Sequence, residues 1–386
     1  MLRSAIPNES DSSVKETMAI VIALSELDSD DKAIRIEAIK TLGKSLDSEA
    51  FNSLSKLVQK DDQGEYLESD PEIRKVAIAA LTSIKDRRGF YELMETIFFG
   101  LSLGSVLLLA AIGLAITFGV MGVINMAHGE LIMIGAYTTY VVQLLMPDYI
   151  EYSLFVAVPA AFLVSGLFGI AIERGVIRFL YGRPLETLLA TFGISLILQQ
   201  LVRTIFSPLN RSVETPAWMS GTLEITGALS ITYNRFYIII FSLMVFFALL
   251  AILKKTPLGL QVRAVSQNRS MAKAMGIKTE WVDALTFGLG SGIAGVAGVA
   301  LSQLTNVGPN LGQSYIIDSF MVVVFGGVGN LWGTLVGAMS LGVVNKFLEP
   351  WSGAVMAKIL VLIFIILFIQ KKPRGLFPQK GRVAEN

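Results

Sequence analysis

The sequence predicts an all-α, polytopic membrane protein with about eight to ten transmembrane or re-entrant helices, preceded by a small helical domain. Three observations carry this. Hydrophobic residues make up 53% of the chain and charged residues 16%, with a mean hydropathy of +0.61, whereas soluble domains carry about 25% charge. From residue 97 onward, apolar runs long enough to cross a bilayer follow one another. Before residue 95, charges are scattered throughout and apolar residues recur at helical spacing.

The N-terminal domain covers residues 1–92. Ile34, Ala38, Ile39 and Leu42 share one helical face, as do Ile73, Ala77, Ile78 and Leu81. The stretches Ala33 to Leu42 and Glu72 to Leu81 align at an offset of about 39 residues, near the period of HEAT-type repeats, so the domain reads as HEAT-like. An ordinary small helical bundle fits the same pattern. Asp30-Asp31 and Ser69-Asp70-Pro71 supply cap chemistry ahead of each helix. The first 30 residues hold only a short apolar patch, Met18 to Leu24, and do not read as a secretory signal.

The membrane domain covers 93–378, with a cytoplasmic tail at 379–386. Spans are expected near 97–120, 127–146, 154–173, 187–206, 236–253, 281–304, 314–326, 331–348 and 355–370. The second opens on polar residues, and the seventh is short and follows Gly308-Pro309-Asn310, which points to broken or re-entrant helices lining a cavity. Trp281, Trp332 and Trp351 fall at span ends, where indole rings prefer to sit. Basic clusters at Lys254 to Lys278, at Arg174, Arg178 and Arg183, and from Lys371 to Arg382 mark the cytoplasmic side. The polar connection from Ser207 to Arg235 then lies outside, and the alternation over Thr222 to Thr226 predicts a hairpin there. Nine crossings place residues 1–92 outside as well; Lys85, Arg87 and Arg88 argue the other way.

A formal net charge of +1, with basic residues at the ends of apolar runs, gives no nucleic-acid surface. The absence of cysteine excludes disulfides, thiol catalysis and cysteine-ligated metal.

Asn125, His128 and Glu130 lie within a region otherwise apolar enough to enter a bilayer, and His128 is the single histidine of the chain. Ionisable groups at membrane depth are costly and mark pathways or partners. A metal site would need further ligands. An acid–base pair is disfavoured because His128 and Glu130, two residues apart, do not share a helix face. Lining a polar solute path and capping a broken helix both remain. Thr191 and Gln199, with Gln200 beside it, are weaker candidates for the same cavity. Gly288 and Gly292, and Gly329, Gly333 and Gly337, recur at intervals of four and read as small-residue faces for close helix packing. The sequence Gly290-x-Gly292-x-x-Gly295 lacks the preceding strand a nucleotide fingerprint needs, and Gly43-Lys44-Ser45 lacks the first glycine of a phosphate loop. The cytoplasmic segment Thr256 to Ile277 reads as one helical element, with Pro257 near its start, Gly276 as its stop and Val262, Val265, Met271, Ala272 and Met275 as apolar contacts. Its small and flexible apolar residues suit a protein partner better than a lipid surface.

These segments resemble the permease subunits of the branched-chain amino-acid and urea ABC importers. The resemblance rests on Asn125-Met126-Ala127-His128-Gly129-Glu130 after the first span and on Gly259, Arg263-Ala264, Asn268, Met271-Ala272 and Gly276-Ile277 in the cytoplasmic segment. The glycine-rich turn Val324 to Asn330 with Gly333 completes it, over about residues 97 to 378. Met126 and the N-terminal extension look more like urea permeases. The resemblance implies a multi-pass subunit of the bacterial plasma (inner) membrane that is not an enzyme. Urea is the expected solute, with branched-chain amino acids or short amides as the alternative and a stand-alone channel or gradient-driven transporter as the rival of another class. It further implies a second homologous permease, two cytoplasmic ATPase subunits that carry ATP, and a periplasmic solute-binding protein, with lipid around the spans and no cofactor on this chain. Asn125, His128, Glu130, Thr191 and Gln199 become solute-path candidates, and Gly259, Arg263, Asn268, Met271 and Gly276 become ATPase-coupling candidates.

Overall fold

The computed structural model describes residues 6–60, 65–226 and 229–377, so the tail at 379–386, including Lys380 and Arg382, lies outside the described residues. Two compact units result, one of residues up to Thr96 together with Thr222–Ile231, the other of Ile97–Gly221 and everything from Thr232 onward.

The first unit holds helices α1 (Ser12–Glu26), α2 (Lys32–Leu42), α3 (Ser48–Leu57) and the opening turns of α4 (Pro71–Met121). Aspartates start three of them: Asp31 accepts from the Ala33 amide at 2.8 Å, Asp47 from Glu49 at 2.7 Å and Asp70 from Glu72 at 2.8 Å. Pro71 at the first helical position completes the last of these starts. A single core gathers Ala38, Ile39, Leu42, Leu54, Ile73, Ala77 and Ile84, all almost fully buried. The two aligned stretches do not present equivalent faces to it. Ile34 is exposed where its counterpart Ile73 is buried, and Ile39 is buried where Ile78 is exposed. Arg87 donates to the carbonyls of Gly43 and Lys44, and Arg88 to that of Leu46. These arginines are therefore bound into the unit's own loop and are not free markers of a membrane side. Glu68, nearly buried, pairs with Arg35 and accepts from the Asp70 amide at 3.0 Å. Burial alone would raise its pKa, but the Asp70 amide and the Arg35 guanidinium hold it below the usual carboxylate value.

The second unit continues α4 and adds α5 (His128–Leu145), α6 (Ile150–Gly175), α7 (Pro184–Phe206), α8 (Tyr233–Lys255), α9 (Pro257–Gln267), α10 (Arg269–Ala274), α11 (Thr279–Ser302), α12 (Leu311–Gly326), α13 (Leu331–Ser352) and α14 (Ala354–Lys371). Strands β1 (Thr222–Thr226) and β2 (Leu229–Thr232) pair as a two-stranded sheet in the α7–α8 connection, in the stretch that groups with the first unit. Among the described residues, seven helices are long and apolar enough to cross a membrane: α4, α6, α7, α8, α11, α13 and α14. The 16-residue α12 falls short of that length, and α5 opens on His128 and Glu130, which lower its hydropathy. The first span is not a helix that begins near 97. Helix α4 runs unbroken from Pro71, because no proline interrupts it and the change of composition marks a change of surroundings, not of backbone.

The spans surround α11. In its most apolar window 94% of the residues are buried inside the chain, against 17–33% for α6, α7, α8, α13 and α14. Small residues allow this. A Cβ at Gly135 of α5 would overlap the Gly295 carbonyl, one at Gly290 would come within 2.7 Å of the Gly113 carbonyl of α4, and one at Gly292 within 2.9 Å of the Phe162 carbonyl of α6. Lipid gives helices no hydrophobic drive to associate, so close backbone approach and dispersion supply the cohesion. Gly288 faces Ile170 of α6. Gly333 and Gly337 lie on α13 against Gly326 of α12, but Gly329 does not share their helix face. It sits in the preceding turn at φ +81° with its backbone against Gly119 of α4. A spacing of four residues counts as a helix face only where the backbone is helical.

Candidate functional site

Helix α4 ends at Met121, Gly122 takes a positive φ of 66°, and the chain stays non-helical until α5 starts at His128. This break lies inside the second unit, where Asn125, His128 and Glu130 are at most 1% exposed. Irregular backbone at such depth must satisfy its polar groups internally. Asn125 Oδ1 accepts from the Ala127 amide at 3.0 Å, and Thr191 Oγ1 accepts from the Met126 amide at 3.1 Å. Asn125 thus braces the turn that leads into α5 and leaves its Nδ2 donor without a partner among the described residues.

Glu130 and His128 turn to different neighbours. Glu130 Oε1 accepts from Ser195 Oγ at 3.0 Å and from Gln199 Nε2 at 2.7 Å, both on α7, while Oε2 has no partner among the described residues. His128 Nε2 lies 2.8 Å from the Ala110 carbonyl of α4. The ring must carry its proton on Nε2 to make that bond, which leaves Nδ1 an acceptor without a partner among the described residues.

Thr187, Thr191, Ser195 and Gln199 are buried and recur at intervals of four along α7. They form a polar seam of roughly 18 Å at 1.5 Å per residue. Arg183 precedes it, and Arg203 follows it, donating to Asn310 Oδ1 at 2.8 Å. The structure therefore brings Glu130, Thr191 and Gln199 to one seam, sets Asn125 between two residues whose backbone meets Thr191, and turns His128 toward α4 instead. Ser195 and Thr187 were not among the sequence candidates, although the interval of four between polar residues in an apolar span is visible in the sequence. Gln200, the neighbour of Gln199, is exposed and points away from this stripe. A cavity of about 750 Å³ lies elsewhere, at the end of α4, lined by Val120, Lys254, Arg263, Asn330 and Phe377 among others.

The segment from Thr256 to Ile277 is two helices, not one. Thr256 caps α9 through the Gly259 amide at 3.2 Å, and Asn268 breaks the helix and caps α10 through the Met271 amide at 2.9 Å. An asparagine whose side chain competes with the helical backbone favours a cap over a helix interior. Val262, Val265 and Ala272 are buried, but Met271 and Met275 point outward at 60% and 77% exposure and make no apolar contact with the unit's core. Arg263 donates to the Leu253 carbonyl at the end of α8, and a Cβ at Gly259 would overlap that same carbonyl. Gly276 ends the segment at φ +87°, a conformation glycine adopts without steric cost.

The basic clusters meet at this end of the unit. Arg174 lies 3.8 Å from Glu280 and stacks 4.3 Å over the Trp281 ring. The segment after α14 returns alongside, with the Leu376 amide on the Phe325 carbonyl at 2.9 Å and Asn330 Nδ2 on the Phe377 carbonyl at 3.2 Å. The positive-inside rule assigns this face to the cytoplasm.

Comparisons with known proteins agree with this architecture. The family model described as branched-chain amino acid transport system / permease component matches residues 96–369. The BraD permease protein of the high-affinity branched-chain amino acid transport system of Pseudomonas aeruginosa is 30% identical over 74% of this chain and 96% of its own length. The LivH permease protein of the corresponding Salmonella typhimurium system is 32% identical over the same shares. No solved structure matches significantly. The chain belongs to the family of branched-chain amino acid transport system permease components, and is a transport permease rather than an enzyme.

Proposed function

We propose that this chain is one membrane-spanning half of an ATP-driven importer for branched-chain amino acids, a multi-pass subunit of the bacterial plasma (inner) membrane. The observation that carries the solute is the set of relatives named for it, 30–32% identical over nearly their whole length. The seam supports it chemically. Glu130 Oε2 is an acceptor suited to an ammonium group, and Asn125 Nδ2 is a donor suited to a carboxylate. Both stand in a setting where an unpaired polar group is costly and a matching solute group relieves the cost. The machine is completed by a second homologous permease, two cytoplasmic ATPase subunits that hold the ATP, and a periplasmic solute-binding protein. Closure of the ATPase pair pushes on α9 and α10, and the spans respond as a two-state element that opens the seam to one side at a time.

Urea is the second reading. The family match begins at residue 96, so the N-terminal unit falls outside it, and that extension with Met126 is the feature resembling urea permeases. Reconstituting the complete importer in liposomes and supplying labelled leucine or labelled urea separates the two. Leucine uptake that needs ATP and is unaffected by excess urea is expected. The reverse pattern assigns urea, and uptake by this chain without ATPase subunits makes it a stand-alone channel or gradient-driven carrier.

The same reading places residues 1–92 outside the cell. Phe99, at the start of the membrane part of α4, lies under the Arg235 guanidinium at 4.9 Å, and Arg235 follows the polar hairpin connection. Val120, at the other end, lines the same cavity as Lys254 and Arg263 of the basic face. The chain therefore enters its membrane unit from the side opposite the cytoplasmic clusters. Protease added to spheroplasts is expected to remove the extension from intact cells; protection until lysis would reverse the orientation.

A further inference from the structure

The cytoplasmic ends of α6, α10 and α11 are joined by a buried charged cluster that neither the family resemblance nor the solute seam accounts for. Asp283, on the first turns of α11, is fully buried. Both of its oxygens accept from Arg269, the first residue of α10: Nη1 reaches Oδ1 at 3.2 Å, and Nη2 bonds Oδ2. The Arg269 guanidinium also stacks 4.6 Å over the ring of Tyr181, in the α6–α7 connection. The Tyr181 hydroxyl donates to Glu173 Oε1 at 3.3 Å, near the end of α6, where Glu173 is 1% exposed. Asn268 caps α10 and so fixes the turn from which Arg269 reaches back.

We propose that the Arg269–Asp283 pair is the strut that makes α10 and the central helix α11 move as one body, so that a push on the cytoplasmic segment becomes a displacement of the spans. This rests on the importer reading given above. The geometry suits a strut. A bidentate guanidinium–carboxylate pair fixes both distance and angle, which a single lysine contact would not. Because Asp283 has no exposure to water, losing its partner leaves a buried carboxylate uncompensated, so the joint has no cheap open state. At its other end the segment is tied to α8 by Arg263 and Gly259 on the Leu253 carbonyl. The segment is thus held to α8 and to α11; at α11 the apolar contact of Val262, Val265 and Ala272 with Val282 can slide, whereas the Arg269–Asp283 pair fixes direction as well as distance. Arg269 and Asp283 are positioning residues: neither lies on the solute seam.

The test uses the complete reconstituted importer with Asp283→Asn. The expected result is a split: ATP-dependent uptake falls about tenfold or more, as a lost coupling of ordinary size would cause, while the ATPase subunits stay bound and keep their basal hydrolysis. Equal loss of uptake and hydrolysis would mean that Asp283 only stabilises the fold, and uptake within twofold of the unaltered importer would also overturn the strut. If Asp283→Asn fails to assemble, Arg269→Gln at the exposed partner carries the same comparison. A second measurement exploits the cysteine-free chain: spin labels on Lys273→Cys of α10 and Glu280→Cys of α11, both exposed, should keep one separation with and without ATP, and a separation that changes would refute rigid movement. An unaltered importer with no ATP-dependent uptake of either solute would overturn the importer reading and the strut with it; normal uptake by both variants would overturn the strut alone.

Discussion

Replacing Gly298 by leucine is expected to abolish recovery of folded permease. A Cβ at this position would run into the Ile132 carbonyl and lie 2.6 Å from the Ala136 amide, both backbone atoms of α5. Side chains can rotate away from an intruder, but a helix backbone shifts only as a whole. Overpacking a core costs about 1–3 kcal/mol where side chains can adjust, and here they cannot. Moving α5 would also pull Glu130 from Ser195 and Gln199 and His128 from the Ala110 carbonyl. Size-exclusion profiles of the detergent-solubilised protein should lose the monodisperse peak. Gly193→Leu is the control, since nothing lies within 4 Å of a Cβ there, and its profile should be unchanged.

Glu130→Gln is expected to leave the fold intact and to raise the leucine KM about tenfold, because a charged hydrogen bond is worth roughly 1–1.5 kcal/mol more than a neutral one. The substitution keeps the volume and an oxygen that accepts from Ser195 and Gln199, so the break between α4 and α5 keeps its supports. What it removes is the charge available to an ammonium group. A urea importer needs no fixed counter-charge, so its uptake would stay within a few-fold of normal. Uptake kinetics of the variant therefore report the solute class independently of the competition assay. An unchanged leucine KM would remove Glu130 from the path.

The bilayer explains why so much of the fold was legible. Spans must be long, apolar and internally hydrogen-bonded, so their places follow from composition, and the polar run at Asn125 to Glu130 marked the helix break. The seam was legible only in part. Thr191 and Gln199 stand out as polar residues in an apolar span, yet Ser195 is what completes the stripe and reaches Glu130, and serine in a span is too common to single out. Asp283 is illegible for a different reason. An acidic residue near a span end reads as an interface residue, and its pairing with Arg269 depends on the chain turning back at Asn268 and Gly276. The cytoplasmic segment looked like one helix because its apolar spacing continues past Asn268, and only the side-chain cap shows the break. Gly329 shares the four-residue spacing of Gly333 and Gly337 but not their helix, because spacing carries no information about φ.

The burial of α11 has a consequence for how the protein is made. Segments enter the membrane in the order of synthesis, and α11 begins at Thr279, after most of its neighbours have been inserted. Until then α4, α5 and α6 hold glycine faces shaped for a helix that has not yet left the ribosome. The late arrival of one glycine-rich segment thus completes the packing of three helices made before it.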